Sequence, residues 1–270
     1  MSQLLFGVMG DPISHSLSPQ IHQLFAAQFD IQLHYEKIQV PRGQLKHALQ
    51  MFREKGGRGA NVTAPLKEEA FLICQAENSA RLAQAVNTLY WNQSNELRGT
   101  NTDGLGLCQD LLVNLEWALD GKRILICGAG GATAGILEPL LSHQPVEIVI
   151  ANRDMTRAKT LVERFNDPAL QMSAYEDLHV DFDLIINATS AHLSGASIPL
   201  DPNFLKGAAC YDLGYSLTIT PFCELAKTHG AKAVSDGLGM LIEQAALGFE
   251  IWHGVKPNTS RVRGILRSNA

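Results

Sequence analysis

The chain contains no CxxC pair, and its five cysteines (Cys74, Cys108, Cys127, Cys210 and Cys223) are odd in number and scattered. That pattern argues against a disulfide framework and predicts reduced thiols in a cytosolic protein. Nine histidines are present without an HExxH or similar ligand spacing, so no metal is expected. Basic residues are not in excess: 22 Lys and Arg stand against 27 Asp and Glu, giving a net charge of −5. With no block or stripe of one sign, a nucleic-acid surface is not expected either. No apolar run approaches the roughly 20 residues of a membrane span. The opening MSQLLFGVMGDPISHS lacks the basic n-region of a signal peptide. The expected location is the cytoplasm, and the expected partners are small molecules, without nucleic acid or membrane.

What is present is an ordinary globular composition, 46% hydrophobic and 18% charged over 270 residues, enough for two moderate domains. Strand-like and helix-like segments alternate from end to end, the pattern of an α/β protein. LLFGVMG reads as a strand and SPQIHQLFAAQF as a helix, with Ser18 at the N-cap, Pro19 at N1, and Ile21, Leu24, Phe25 and Phe29 on one face. HYEKIQV is a strand, QLKHALQMFREKGG a helix stopped by glycine, and GANVTA another strand. AVNTLYW and ELRGTN form a strand pair, and DGLGLCQDLLVNLEWAL reads as one long connecting helix. A second set of strands follows in KRILIC, VEIVIANR, FDLIINATS, AACYDLGYS and AKAVSDG, with helices between them. The last long helix, LGMLIEQAALGFEIWHG, is expected to leave this set and pack on the first. Two domains are therefore expected: residues 1–103 with 240–270, and residues 104–239.

ICGAGGATAG ends an apolar strand and opens a helix, with the next strand about twenty residues on. Glycines there let the backbone turn tightly and approach a pyrophosphate, whose charge sits on the helix N-terminus. A strict GxGxxG needs a third glycine where this chain has Thr133, and Gly135 follows two residues later. Packing alone is the other use of such a turn. At the end of the second strand an NAD site usually carries Asp or Glu for the ribose 2′-hydroxyl. This chain reads Asn152-Arg153-Asp154-Met155-Thr156-Arg157, and two arginines four apart on a helix start can pair with a 2′-phosphate. The spacing favours NADP. Asp154 opposes a phosphate or caps the helix.

The stretch ANVTAPLKEEAF places Lys67 in the first turn of a helix whose Leu66, Ala70, Ile73 and Cys74 share a face. The positive end of a helix dipole disfavours an ammonium, whereas Glu68 and Glu69 suit it. One reading is a solvated surface charge. The other is a proton donor: hydride transfer to a ketone leaves an alkoxide, and a lysine near a helix N-terminus can protonate it. Asp103, in RGTNTDGLG, would complete a dyad, or else serve as an N-cap or first-turn acid.

These residues together resemble the shikimate dehydrogenase family. The likeness runs in order through GDPISHSLSPQIH, NVTAPLK, AVNTL, GTNTDGLG, GAGGA, NRDMTR, NATS, YDLGY with TPF, and DGLGMLIEQAA. It implies a split α/β substrate domain beside a Rossmann-type, doubly wound parallel-sheet NADP domain. The implied reaction is the reversible NADPH-dependent reduction of 3-dehydroshikimate to shikimate, on the route to aromatic amino acids. By resemblance, Lys67 and Asp103 are the catalytic pair, and Ser16 and Ser18 hold the substrate carboxylate. Thr63, Asn87, Tyr215 and Gln244 contact ring hydroxyls and carboxylate, with Asn61 a neighbour of weaker claim. Gly128, Ala129, Gly130, Gly131, Ala132, Asn152, Arg153 and Arg157 match the cofactor stretch, and Leu213 and Gly237 lie near the nicotinamide. The family's NATSxGM departs here to Asn187-Ala188-Thr189-Ser190-Ala191-His192-Leu193, with His192 expected in an exposed loop. A quinate/shikimate dehydrogenase with relaxed use of NAD, and a catalytically silent dinucleotide-binding regulator, are the alternatives. Whether the chain is a monomer or a homodimer stays open.

Overall fold

A computed structural model describes residues 3–189, 198–216 and 218–268. Two compact units emerge, residues 1–107 with 241–269, and residues 108–240. In the first unit the order is β1 (Leu4–Gly10), α1 (Ser18–Ala26), β2 (Leu33–Gln39), α2 (Leu45–Glu54), β3 (Gly57–Val62), α3 (Lys67–Ile73), β4 (Gln75–Ala76), α4 (Asn78–Ala83), β5 (Thr88–Trp91) and β6 (Leu97–Thr100). The six strands form one mixed sheet in the order β2-β1-β3-β5-β6-β4. β1 pairs parallel with β2 and β3, while β5 runs antiparallel to both β3 and β6.

The second unit contains β7 (Arg123–Cys127), α6 (Gly131–Ser142), β8 (Glu147–Ala151), α7 (Met155–Phe165), β9 (Leu170–Ser173), β10 (Leu184–Asn187), β11 (Ala209–Asp212), α8 (Pro221–Thr228) and β12 (Ala233–Asp236). α5 (Asp103–Gln109) precedes it in the chain. The strands pair in parallel throughout, in the order β12-β11-β10-β7-β8-β9. This is the doubly wound arrangement, whose order reverses between β7 and β10. Parallel strands covered on both faces read as continuous apolar runs; accordingly Ile124, Leu125, Ile126 and Cys127 are all fully buried, as are Ile148 and Ile150. β2 alternates instead, as expected of a strand at a sheet edge.

α9 (Leu238–His253) and α10 (Thr259–Ser268) end the chain. Within the first unit α9 packs aromatic rings on the sheet and on α1: Trp252 stacks on Phe6 at 4.6 Å, and Phe249 meets Phe25 edge-on at 5.7 Å. Among the described residues no helix is long and apolar enough to cross a membrane.

Two local expectations are corrected. Ser18 is not the N-cap of α1. Leu17 already has near-helical angles and takes that place, so Ser18 is the first helical residue, with its N–H donating to Ser16 Oγ at 3.2 Å. The long connecting helix is shorter than its apolar pattern suggests. α5 widens at residues 110–114 into a π-turn, and the chain leaves it where Glu116 takes a left-handed φ of 57°. The buried Asp110 carboxylate explains the widening, since it accepts from Asn114 Nδ2 and from Tyr211 Oη. β4, α4, β9 and α10 have no counterpart among the segments expected from the sequence.

Candidate active site

α3 starts where the turn after β3 closes. Thr63 N–H donates to Met9 O, Leu66 N–H donates to Thr63 O, and Lys67 follows as the first helical residue. The Lys67 carbonyl accepts from Val86 N–H, which ties the start of the helix to the approach of β5. From there Lys67 Nζ donates to Asp103 Oδ2 at 2.5 Å, with the two side chains 18% and 7% exposed. Asp103 opens α5, where an acid suits the positive end of the helix. Its N–H is taken by Asn101 Oδ1 at 3.0 Å.

Asn87 joins three segments at this point. Its Nδ2 donates to Asp103 Oδ1 at 2.8 Å, to Thr102 Oγ1 at 2.9 Å and to Gln244 Oε1 at 3.2 Å. Thr102 Oγ1 in turn donates to the Gln244 carbonyl at 3.1 Å. Gln244 comes this close because α5 presents Gly106 to α9: a β-carbon at Gly106 would stand 2.6 Å from Gln244 N. So Lys67, Asn87, Asp103 and Gln244, drawn from four distant stretches of the chain, form one hydrogen-bonded cluster. The arrangement can hold an ammonium in place and offer its proton to a bound oxygen.

Other expected substrate residues fall outside that cluster. Ser16 and Ser18 are buried and bonded to each other, Oγ to Oγ at 3.1 Å. Thr63 is half-buried in the turn before Lys67, and Tyr215 is half-buried in the other unit, after β11. Asn101, Thr102 and Thr88 went unread as contributors; the polar run RGTNTD carries the first two and AVNTL the third.

In the second unit, the turn from β7 to α6 has Gly128 at φ 108°, a conformation that favours glycine. Its N–H donates to Ala151 O at 2.8 Å. Gly130 takes the N-cap position with open space around it, and Gly131 begins α6, with Ala129 and Ala132 beside them. Thr133, where strict spacing asks for glycine, is fully buried and donates its hydroxyl proton to the Gly128 carbonyl at 2.8 Å. It braces the turn from inside. The residues present fit a dinucleotide: a glycine turn with room for a phosphate, at the N-terminus of a helix beside the strand-order reversal.

At the end of β8, Asn152 Nδ2 donates to the Asp154 carbonyl, and Asp154 Oδ1 accepts from Thr156 N–H as the N-cap of α7. Arg157 pairs with Asp154 at 3.4 Å rather than standing free beside Arg153. Arg153 is exposed and has no hydrogen bond or ion pair among the described residues. Leu213 and Gly237 meet directly: a β-carbon at Gly237 would lie 2.3 Å from the Leu213 carbonyl oxygen, so only glycine fits. The variant loop Ser190-Ala191-His192-Leu193 lies outside the described residues.

Comparison with known proteins finds three family models along the chain. Residues 8–89 match the model described as "Shikimate dehydrogenase substrate binding domain", residues 112–194 "Shikimate / quinate 5-dehydrogenase", and residues 237–267 "Shikimate 5'-dehydrogenase C-terminal domain". A protein named shikimate dehydrogenase (NADP(+)) from Alcanivorax borkumensis is 47% identical over 268 residues, covering 97% of this chain and 96% of its own length. The crystal structure of an Ael1 enzyme from Pseudomonas putida superposes with a TM-score of 0.90 at 41% identity, covering 98% of each chain. The Thermus thermophilus shikimate 5-dehydrogenase, in complex with NADP(H) and shikimate, gives 0.87 at 32% identity, with 99% and 100% covered.

Proposed function

The chain belongs to the shikimate dehydrogenase family, and on that premise we propose that it catalyses the reversible, NADPH-dependent reduction of 3-dehydroshikimate to shikimate in the cytoplasm. The observation that carries the reading is the direct contact of Lys67 with Asp103, inside the unit that includes the match to a substrate binding domain.

When bound, NADPH supplies the hydride. Lys67 then gives a proton from Nζ to the oxygen that becomes negative as the ketone is reduced, and it is reprotonated afterwards from solvent. In the reverse direction it takes the hydroxyl proton. Asp103 accepts from the ammonium and keeps it aimed, while Asn87, itself held by Gln244, keeps the carboxylate from rotating. Ser16 and Ser18 donate to the substrate carboxylate; Thr63, Asn87, Tyr215 and Gln244 hold its hydroxyls and carboxylate. Gly128 to Ala132 would take the pyrophosphate, Asn152, Arg153 and Arg157 the adenosine end, and Leu213 and Gly237 would lie by the nicotinamide.

A broader quinate and NAD activity is the second reading. It is favoured by the Asp154–Arg157 pair, which draws one arginine away from a 2′-phosphate. Absorbance at the nicotinamide band, with shikimate or quinate and with NADP or NAD, tests both. Fast turnover of shikimate with NADP alone supports the first reading, comparable rates on quinate or with NAD support the second, and no turnover of any pair rejects both.

A further inference from the structure

Behind Asn87 lies another layer of buried polar groups that the proposed reaction does not touch. The geometry points to Thr88 and Asn61 as positioning residues of the Asp103 carboxylate, acting through Asn87; this rests on the reading of Asp103 given above.

A carboxylate accepts hydrogen bonds and donates none, so Asn87 turns Nδ2 toward Asp103. Its Oδ1 then faces the Thr102 N–H at 2.9 Å, the Thr88 hydroxyl at 3.0 Å and the Thr102 hydroxyl at 3.2 Å. Thr88 has one proton, and it goes to Asn87. The lone pairs of Thr88 are met by Asn61, whose Nδ2 donates to Thr88 Oγ1 at 3.1 Å and to the Asn87 carbonyl at 3.2 Å. Asn61 Oδ1 accepts the Tyr35 phenol proton at 2.6 Å. Every donor along Tyr35, Asn61, Thr88 and Asn87 points the same way, and the series ends on Asp103 Oδ1. That leaves Oδ2 for Lys67.

The sheet builds this series. Asn61 on β3 and Thr88 on β5 stand directly opposite in the antiparallel register. α9 covers the pair with Gly248, where a β-carbon would lie 3.5 Å from both Asn61 Nδ2 and Thr88 Oγ1. Thr88 is fully buried and Asn61 nearly so. A broken link there leaves an unsatisfied group, and aligned bonds reinforce one another. The carboxylate plane, and with it the aim of the Lys67 ammonium, is therefore set two residues back from the chemistry.

The test compares Thr88→Val, which keeps the shape and removes the hydroxyl, with Thr88→Ser, which keeps the hydroxyl. With shikimate and NADP, Thr88→Val should lower kcat about tenfold, the scale of one lost buried hydrogen bond, and Thr88→Ser should stay within about twofold. Wild-type kcat in Thr88→Val, or equal losses in both variants, overturns the proposal. If Thr88→Val does not fold, Asn61→Leu breaks the same link from the other strand, with the same tenfold fall expected and wild-type kcat overturning the idea. Hydrogen exchange of the Asn87 side-chain amide, followed by NMR, separates this inference from the function. Thr88→Val should lower its protection severalfold even if the wild type proves inactive on shikimate, and unchanged protection counts against the inference whatever the substrate.

Discussion

The ion pairs Lys67–Asp103 and Arg157–Asp154 are built to opposite rules. Lys67–Asp103 is shut in, its side chains 18% and 7% exposed, with the carboxylate also bonded to Asn87. Arg157–Asp154 stands in solvent, its side chains 71% and 56% exposed. An exposed pair is screened and mobile and contributes little to stability. A buried pair is held in one geometry, and losing one partner strands the other. The contrast fits the two tasks proposed for these residues. Proton transfer needs an ammonium at a fixed distance and angle, whereas a 2′-phosphate brings its own charge and needs only cations within reach. The nucleotide-side unit puts its rigidity into backbone instead, at Gly128 and at the Gly237–Leu213 contact.

The largest expected break is on the buried side. Lys67→Ala should lower kcat about a hundredfold or more, the usual scale for a lost general acid. Denaturant unfolding of that variant should also show a loss of about 1–3 kcal/mol, because a nearly buried carboxylate loses its cation. Near-normal turnover would return Lys67 to the role of a surface charge. Gly237→Ala tests the backbone side: forcing a methyl group against the Leu213 carbonyl should cost about 1–3 kcal/mol in the same unfolding experiment. A neutral substitution would mean that the contact opens freely.

The exposed side should respond more gently and unequally. Arg153→Ala, removing the exposed arginine that has no hydrogen bond or ion pair among the described residues, should reduce kcat/KM for NADP about tenfold and leave NAD use nearly unchanged. Arg157→Ala should cost only about twofold to threefold, since Asp154 already engages that charge. Equal losses with both cofactors in Arg153→Ala would place the phosphate contact elsewhere.

A separate effect concerns pH and lies in the first unit. His22 is fully buried and stacked on Tyr35 at 4.5 Å, and burial holds its pKa down to about 3. The unfolded chain binds a proton at His22 below about 6.5 and the folded chain does not. Stability from this group is therefore complete above about 6.5 and falls toward pH 3, by about 1.4 kcal/mol per unit at most. His22→Phe should flatten that slope in unfolding midpoints measured from pH 7 to 4.5. An unchanged slope would assign the acid sensitivity to other groups, His253 among them, whose pKa burial lowers to about 4.

Sequence alone determined the elements that rest on local rules. The continuous apolar runs around Ile124 and Ile148, the glycines at 128, 130 and 131, and Lys67 at a helix start all follow from period, burial and turn chemistry. Asp154 as a cap was legible for the same reason, since a cap involves only its own first turn. The partner of Arg157 was not, because a side chain of that length can reach either the neighbouring acid or a ligand, and the spacing permits both. Only tertiary structure decided that Asn87, 157 residues from Gln244, would bind it and Asp103 together. It likewise decided that Thr133 would serve where glycine was expected, and that α5 would widen at Asp110. Each of these depends on what a buried polar atom finds across the fold, and hydrogen-bond satisfaction in a core is a property of neighbours in space that no spacing along the chain encodes.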